Sequence, residues 1–350
     1  MKIFLYVGLP KTATTFYQSN FFPFLSKNKI IYNPNNIMLK LQYFLDLKDI
    51  DDAEPKKIID FKNELINLEK TKPNYNLLIV NEHLGYVGIN PEPRIGSKLT
   101  KKLFDKAEII ISLRYQTDWL LSFYKHYMDN GGSESIEKFL NFQRGEFLSG
   151  QGLDQYNNLN HLIRRVDVHL LDWCLYVNSF YKYYSRERVN VLFFEDFKRN
   201  KEIYTRTLFK IIQAKGRIPK INYDNIKNRG RSAFTCLLIE NKNRIYSLLN
   251  VKSRSIRKFN IKLKQFRETN NLSKLKFFNK ILYFIKLILI VIYYAPIQFY
   301  MARLDNIIYL DWDLLSRNKL RQNLDIYFKN KNRDLLKLFN KADLPKKYLN

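Results

Sequence analysis

The sequence predicts an α/β fold in which a central parallel sheet is flanked by helices. Short runs of apolar, β-branched or aromatic residues recur without alternation, as strands buried on both faces require. Helical patterns separate these runs, which implies crossover connections and parallel pairing. The composition is that of a folded core, with 46% hydrophobic and 15% aromatic residues and only 11 Gly and 10 Pro in 350 residues.

Taken in order, residues 3–7 (IFLYV) form the first strand, followed by a turn and a helix over 14–25. A helix over 60–70 precedes a strand at 77–80, and a strand at 109–113 leads into a helix over 117–128. Helices follow over 135–147 and across the aromatic-rich 162–184, then a strand at 189–194 and a helix over 202–214. Gly131-Gly132, Gly150 to Gly152 and Lys215-Gly216 punctuate them.

A single domain is expected, with its core in 1–240 and 311–350 and an elaboration in 241–310. The elaboration begins with twelve Lys or Arg against one acid, Glu268, between Lys242 and Lys280. A stretch at 281–302 follows, interrupted only by Lys286 and Pro296, whose 15 residues from Leu287 to Met301 carry no charge. That is short of the ~20 apolar residues of a transmembrane helix. A segment lying on an anionic bilayer surface and a buried helix of the domain both fit it.

The net charge of +27 predicts attraction to polyanions: nucleic acid, anionic lipid, or an acidic glycan or nucleotide. Two cysteines, Cys174 and Cys236, without a CxxC pair, and four His make neither a disulfide framework nor a zinc module. They read as core thiols in a reduced compartment. No basic segment followed by a long apolar run opens the chain, so export is not expected. His126, His161 and His169 fall within helical patterns and read as structural.

The segment Gly8-Leu-Pro10-Lys11-Thr12-Ala13-Thr14-Thr15 follows the first strand and opens a helix. Backbone N–H groups at such a turn, with the helix dipole, attract anionic oxygens. Lys11 adds a full charge, Thr12, Thr14 and Thr15 add hydroxyls, and Thr12 is also placed to cap the helix. The pattern is not a Walker A, because Pro10 precedes Lys11 where GxxxxGK[ST] requires Gly. An NTPase that holds Mg²⁺ there is disfavoured, and no metal site is expected.

This hxGxPKTxTT loop resembles the 5′-phosphosulfate loop of the sulfotransferase superfamily, whose bacterial members have a P-loop-like three-layer fold. They transfer a sulfuryl group from 3′-phosphoadenosine 5′-phosphosulfate (PAPS), releasing 3′,5′-ADP (PAP), without a metal. A second segment, Ile110 to Tyr124, is again strand then helix, with Arg114 at the strand end and Ser122 eight residues on, about two helical turns. It looks like the family's 3′-phosphate motif, and the resemblance implies that Arg114 and Ser122 bind that phosphate.

A third segment, Val189 to Phe197, is similar to the family's late strand ending in Tyr-Glu-Asp-Leu. Phe194 stands here for Tyr, able to stack near adenine but without a hydroxyl. Glu195-Asp196 reads as structural. Asn228 to Phe234 sits where relatives close a loop over the cofactor, making Arg229 and Arg231 candidate phosphate ligands, with a plain basic loop as the other reading. Residues 323–349 look like the terminal helix and tail of bacterial members.

The resemblance implies sulfuryl transfer by in-line displacement, with Lys11 on the leaving phosphate. Glu82, at the carboxyl end of the 77–80 strand, is the expected general base, and His83 is the next candidate for that role. The expected acceptor is a carbohydrate, polysaccharide or glycolipid, and the expected place is the cytoplasm, including the inner membrane face through 241–310. Nucleic acid is not the expected partner, and the oligomeric state is not legible. Two alternatives are a P-loop kinase and a non-catalytic protein whose basic arm holds nucleic acid or lipid.

Overall fold

Five parallel strands make the central sheet: β1 (Ile3–Tyr6), β2 (Ile30–Tyr32), β3 (Asn76–Val80), β4 (Glu108–Leu113) and β7 (Val189–Phe193). Their spatial order is β2-β3-β1-β4-β7. This computed structural model describes residues 1–47, 49–85, 93–129, 132, 134–149, 166–224, 230–248, 300, 303–305 and 307–349. Arg229, His161, the Gly150 to Gly152 punctuation and nearly all of the basic and apolar stretch within 241–310 lie outside the described residues.

The strands anticipated at 3–7, 77–80, 109–113 and 189–194 are all present, within a residue of their expected bounds. Leu5 shows why an unalternating run makes a central strand: its partners are Ile79 on one side and Ile109 on the other, and it is fully buried. Helices connect and cover the strands: α1 (Thr14–Asn20), α2 (Asn35–Leu45), α3 (Pro55–Thr71), α4 (Pro93–Leu103) and α5 (Gln116–Asp129). Further on come α6 (Ile136–Phe139), α7 (Trp173–Tyr181), α8 (Phe194–Arg199), α9 (Lys201–Ile211), α10 (Ala233–Leu248) and α11 (Leu320–Asn332).

Several expected helices are shorter than their periodicity implied, each for a local reason. Over 135–147 only α6 forms, and the chain then turns into a hairpin of β5 (Phe142–Gln143) and β6 (Glu146–Phe147). Arg144 and Gly145 both take positive φ, 51° and 90°, the two-residue turn that matches strand twist. Within 162–184 the described helix is α7, started by Asp172, whose carboxylate accepts from the Leu175 amide at 2.9 Å. Pro23 turns 22–28 into a 3₁₀ helix after α1, and the tail beyond α11 breaks into short 3₁₀ turns. Phe194 begins α8 instead of ending the strand.

The chain divides into two compact units. The first comprises Met1–Trp119, His169–Arg229 and Leu324–Asn350 and holds the whole five-stranded sheet. Its core beneath the end of β1 is aromatic: Phe4, Tyr6, Tyr17, Phe21, Phe22, Phe197 and Tyr204 pack with Leu78, Val80 and Ile110. The second comprises Leu120–Val168 and Gly230–Asn323, so the division falls within α5. There Asn243 donates to the carbonyls of Met128 and Gly132, and buried Asp305 accepts from the Ser232 and Thr235 hydroxyls.

Candidate functional site

Strand order marks the carboxyl end of β1 as the switch point of the sheet. The chain leaves β1 toward the β2 edge, whereas it leaves both neighbours, β3 and β4, toward the β7 edge. With right-handed crossovers these connections lie on opposite faces of the sheet and diverge at β1, where open α/β sheets bind ligands. The loop from Gly8 to Thr15 leaves β1 there.

Neighbouring elements hold this loop closely. Beyond the formal end of β1, the Val7 amide donates to the Ile110 carbonyl at 2.9 Å and the Leu9 amide to that of Ser112 at 3.3 Å. A Cβ on Gly8 would fall 2.6 Å from Cε1 of the buried Tyr6 ring and 3.1 Å from the Ser112 Cβ, so glycine is required by close approach. Lys11 and Ala13 take left-handed φ values of 68° and 67°. For residues bearing a Cβ that costs about 1–2 kcal/mol each.

The loop carbonyls are consumed one by one. The Thr12 hydroxyl donates to Leu9 O at 2.6 Å, the Trp119 indole N–H to Pro10 O at 2.8 Å, and the Arg114 guanidinium to Lys11 O at 3.0 Å. Ala13 O receives the Tyr17 amide. The amides of Thr14 and Thr15, in the first turn of α1, have no acceptor within the helix, and no side chain caps them. A loop that spends its acceptors inward and keeps its donors is a concavity for anions. The expectation that Thr12 caps α1 is corrected: its hydroxyl is used on Leu9, and the cap position is Ala13, with no side-chain cap.

Arg114 follows β4 directly and is mostly enclosed. Beyond its bond to the loop, its guanidinium carbon lies 4.7 Å from the centre of the Phe194 ring, and its Nε is buried with no partner among the described residues. Burial pulls its pKa down, and the carboxylates of Asp118 and Glu195 oppose that. Glu195 in turn accepts from the Tyr115 amide at 2.9 Å and from the Tyr348 hydroxyl at 3.3 Å, which gives it the structural role expected. Burial raises its pKa despite Arg114.

Glu82 opens a 3₁₀ turn, Glu82–Gly85, after β3. Val80 pairs with Tyr6, and Glu82 and Gly8 each stand two residues past that pair, so the two strands deliver them in register at one edge of the sheet. The Asn81 amide donates to Tyr6 O, and the Gly85 Cα packs so tightly that a Cβ would fall 2.0 Å from Val7 O. Glu82 is half-buried and His83 exposed, with the His83 amide on Asn81 Oδ1.

The structure thus brings Pro10, Lys11, Thr12, Ala13, Thr14, Thr15, Arg114, Phe194, Glu82 and His83 to the carboxyl end of one sheet. Ser122 is half-buried on α5, within the second unit. Arg231, also in the second unit, is ion-paired with Asp129 at 2.9 Å. Cys174 and Cys236 are free and buried, and burial pushes the Cys236 thiol up to about 12. Among the described residues no cluster of three His, Cys, Asp or Glu forms a metal site, and no helix is long and apolar enough to cross a membrane. Sequence reasoning missed the tether from Trp119, five residues after Arg114, and also Lys198 and Tyr348, which belong to no motif.

No protein-family model and no curated protein matches the sequence. Among solved structures the chain is similar to a sulfotransferase from Alicyclobacillus acidocaldarius, at a TM-score of 0.43 and 14% identity over 72% of this chain and 97% of that one. It is also similar to mouse sulfotransferase SULT7A1 complexed with PAP, at a TM-score of 0.33 and 16% identity over 62% of this chain and 59% of that one. These structural neighbours are sulfotransferases.

Proposed function

We propose that the chain is a PAPS-dependent sulfotransferase. The observation that carries this reading is the loop whose carbonyls at Leu9, Pro10 and Lys11 are each taken by a side chain. The first-turn amides of α1 are left for an anion, and Arg114, with an uncommitted Nε, braces the loop. Clustered N–H and cationic donors suit the anionic oxygens of a phosphosulfate.

In this reading the first-turn amides and the Thr14 and Thr15 hydroxyls hold the 5′-phosphosulfate, Arg114 takes the 3′-phosphate, and Phe194 serves the adenine. Lys11 neutralises charge on the departing phosphate. Glu82 accepts the acceptor's proton while its oxygen or nitrogen bonds to sulfur and the sulfur–oxygen bond to the phosphate breaks, releasing PAP. His83 is the second candidate for that proton. The acceptor we propose is a hydroxyl or amine of a carbohydrate, polysaccharide or glycolipid. The charge of +27 and the basic and apolar runs of 241–310 support an acidic or membrane-tethered one.

Replacing Glu82 by Gln should leave 3′,5′-ADP binding intact in a thermal-shift titration and lower turnover of PAPS by about a hundredfold or more. Near-normal turnover would remove Glu82 as the base. A wild-type protein with no shift in 3′,5′-ADP would remove the donor assignment.

A further inference from the structure

Lys198 lies outside every motif of the sequence, yet α8 carries its ammonium to 5.3 Å from the centre of the Phe194 ring. Arg114 approaches the same ring at 4.7 Å. Two full positive charges therefore stand within about 10 Å of each other beside one aromatic side chain. They repel: partial desolvation first, then the charge of Arg114, pulls the Lys198 pKa down.

The nearby carboxylates offset part of this charge and also have other engagements. Asp118 accepts from the Lys347 ammonium, and Glu195 accepts from the Tyr115 amide and the Tyr348 hydroxyl. Among the described residues Lys198 has no ion pair, and the buried Nε of Arg114 has no partner. Two cations kept together with donors unspent fit one compact anion with several oxygens, a phosphate monoester, which a bidentate fork and a point charge bind together.

We propose that Lys198 is a specificity-determining residue that joins Arg114 on the second phosphate of the donor nucleotide, the group remote from the transferred sulfuryl. The inference rests on the proposed function and extends it: Lys198 makes the site prefer a nucleoside bisphosphate over a 5′-monophosphate.

The test is calorimetric titration of wild type, Lys198→Gln and Lys198→Arg with 3′,5′-ADP and with 5′-AMP. Wild type should prefer 3′,5′-ADP. Lys198→Gln should lose about tenfold in affinity for 3′,5′-ADP with 5′-AMP binding unchanged, and Lys198→Arg should keep the preference. Equal losses for both nucleotides would make Lys198 a general contributor of charge and overturn the proposal, as would unchanged 3′,5′-ADP affinity in Lys198→Gln. If wild type binds neither nucleotide, the donor assignment itself fails, an outcome distinct from these two.

Discussion

Arg114 in the first unit and Arg231 in the second are the same residue type, each a candidate phosphate ligand on sequence grounds, and their surroundings are opposite. Arg231 faces Asp129 at 2.9 Å, in a unit where Lys125 likewise faces Asp311 at 3.0 Å. Arg114 supports a backbone carbonyl, stacks on Phe194 and shares that ring with a second cation. Arg231 and Lys125 are each matched by a carboxylate, whereas Arg114 and Lys198 stand together at the end of a sheet. A basic residue becomes a candidate ligand by what it is not paired with.

The sharpest way to break this contrast is to set Arg114→Ala against Arg231→Ala. Arg114→Ala should weaken 3′,5′-ADP binding by about a hundredfold or more, because it removes a buried charge and a loop brace together. Arg231→Ala should leave that affinity within about twofold, yet lower stability by about 1–3 kcal/mol in urea, since a half-buried ion pair with Asp129 is lost. An affinity loss at Arg231 matching that at Arg114 would return Arg231 to the ligand set and dissolve the contrast.

A smaller effect is expected at Gly8. Gly8→Ala pushes a methyl against the buried Tyr6 ring and should cost about 1–3 kcal/mol of stability along with nucleotide binding. A variant of normal stability would mean that the loop base is not closely packed.

The smallest concerns Glu195, whose pKa is raised by burial. A carboxyl with a raised folded-state pKa favours the folded form fully below its unfolded value, and that contribution is lost as pH rises through the folded one. Urea midpoints should therefore shift in favour of Glu195→Gln, relative to wild type, as pH rises from about 4. A difference independent of pH would show that Arg114 fully offsets the burial.

Much of the first unit was legible because its strands are buried on both faces, which writes them as unbroken apolar runs. β2 was not: three residues, Ile30–Tyr32, on the edge of the sheet are too few to show a pattern. The hairpin of β5 and β6 hid inside a helical periodicity that Arg144 and Gly145 overrule through their φ values. The loop was legible as a motif, since it is contiguous. Lys198 was not, being one of 60 Lys and Arg and marked only by its neighbours in space. The pairing of Arg231 with Asp129 likewise joins residues 102 apart.

The tethers of the loop have a consequence for how the chain assembles. Arg114 and Trp119 are 103 and 109 residues from the carbonyls that they hold. Closing such long segments is entropically unfavourable and is repaid only once the intervening elements have docked. The first fifteen residues, whatever their local preferences, thus cannot acquire their contour alone. The loop after β1 is an end product of folding, completed when β4 and the start of α5 settle beside β1, and the backbone strain at Lys11 and Ala13 becomes sustainable only then.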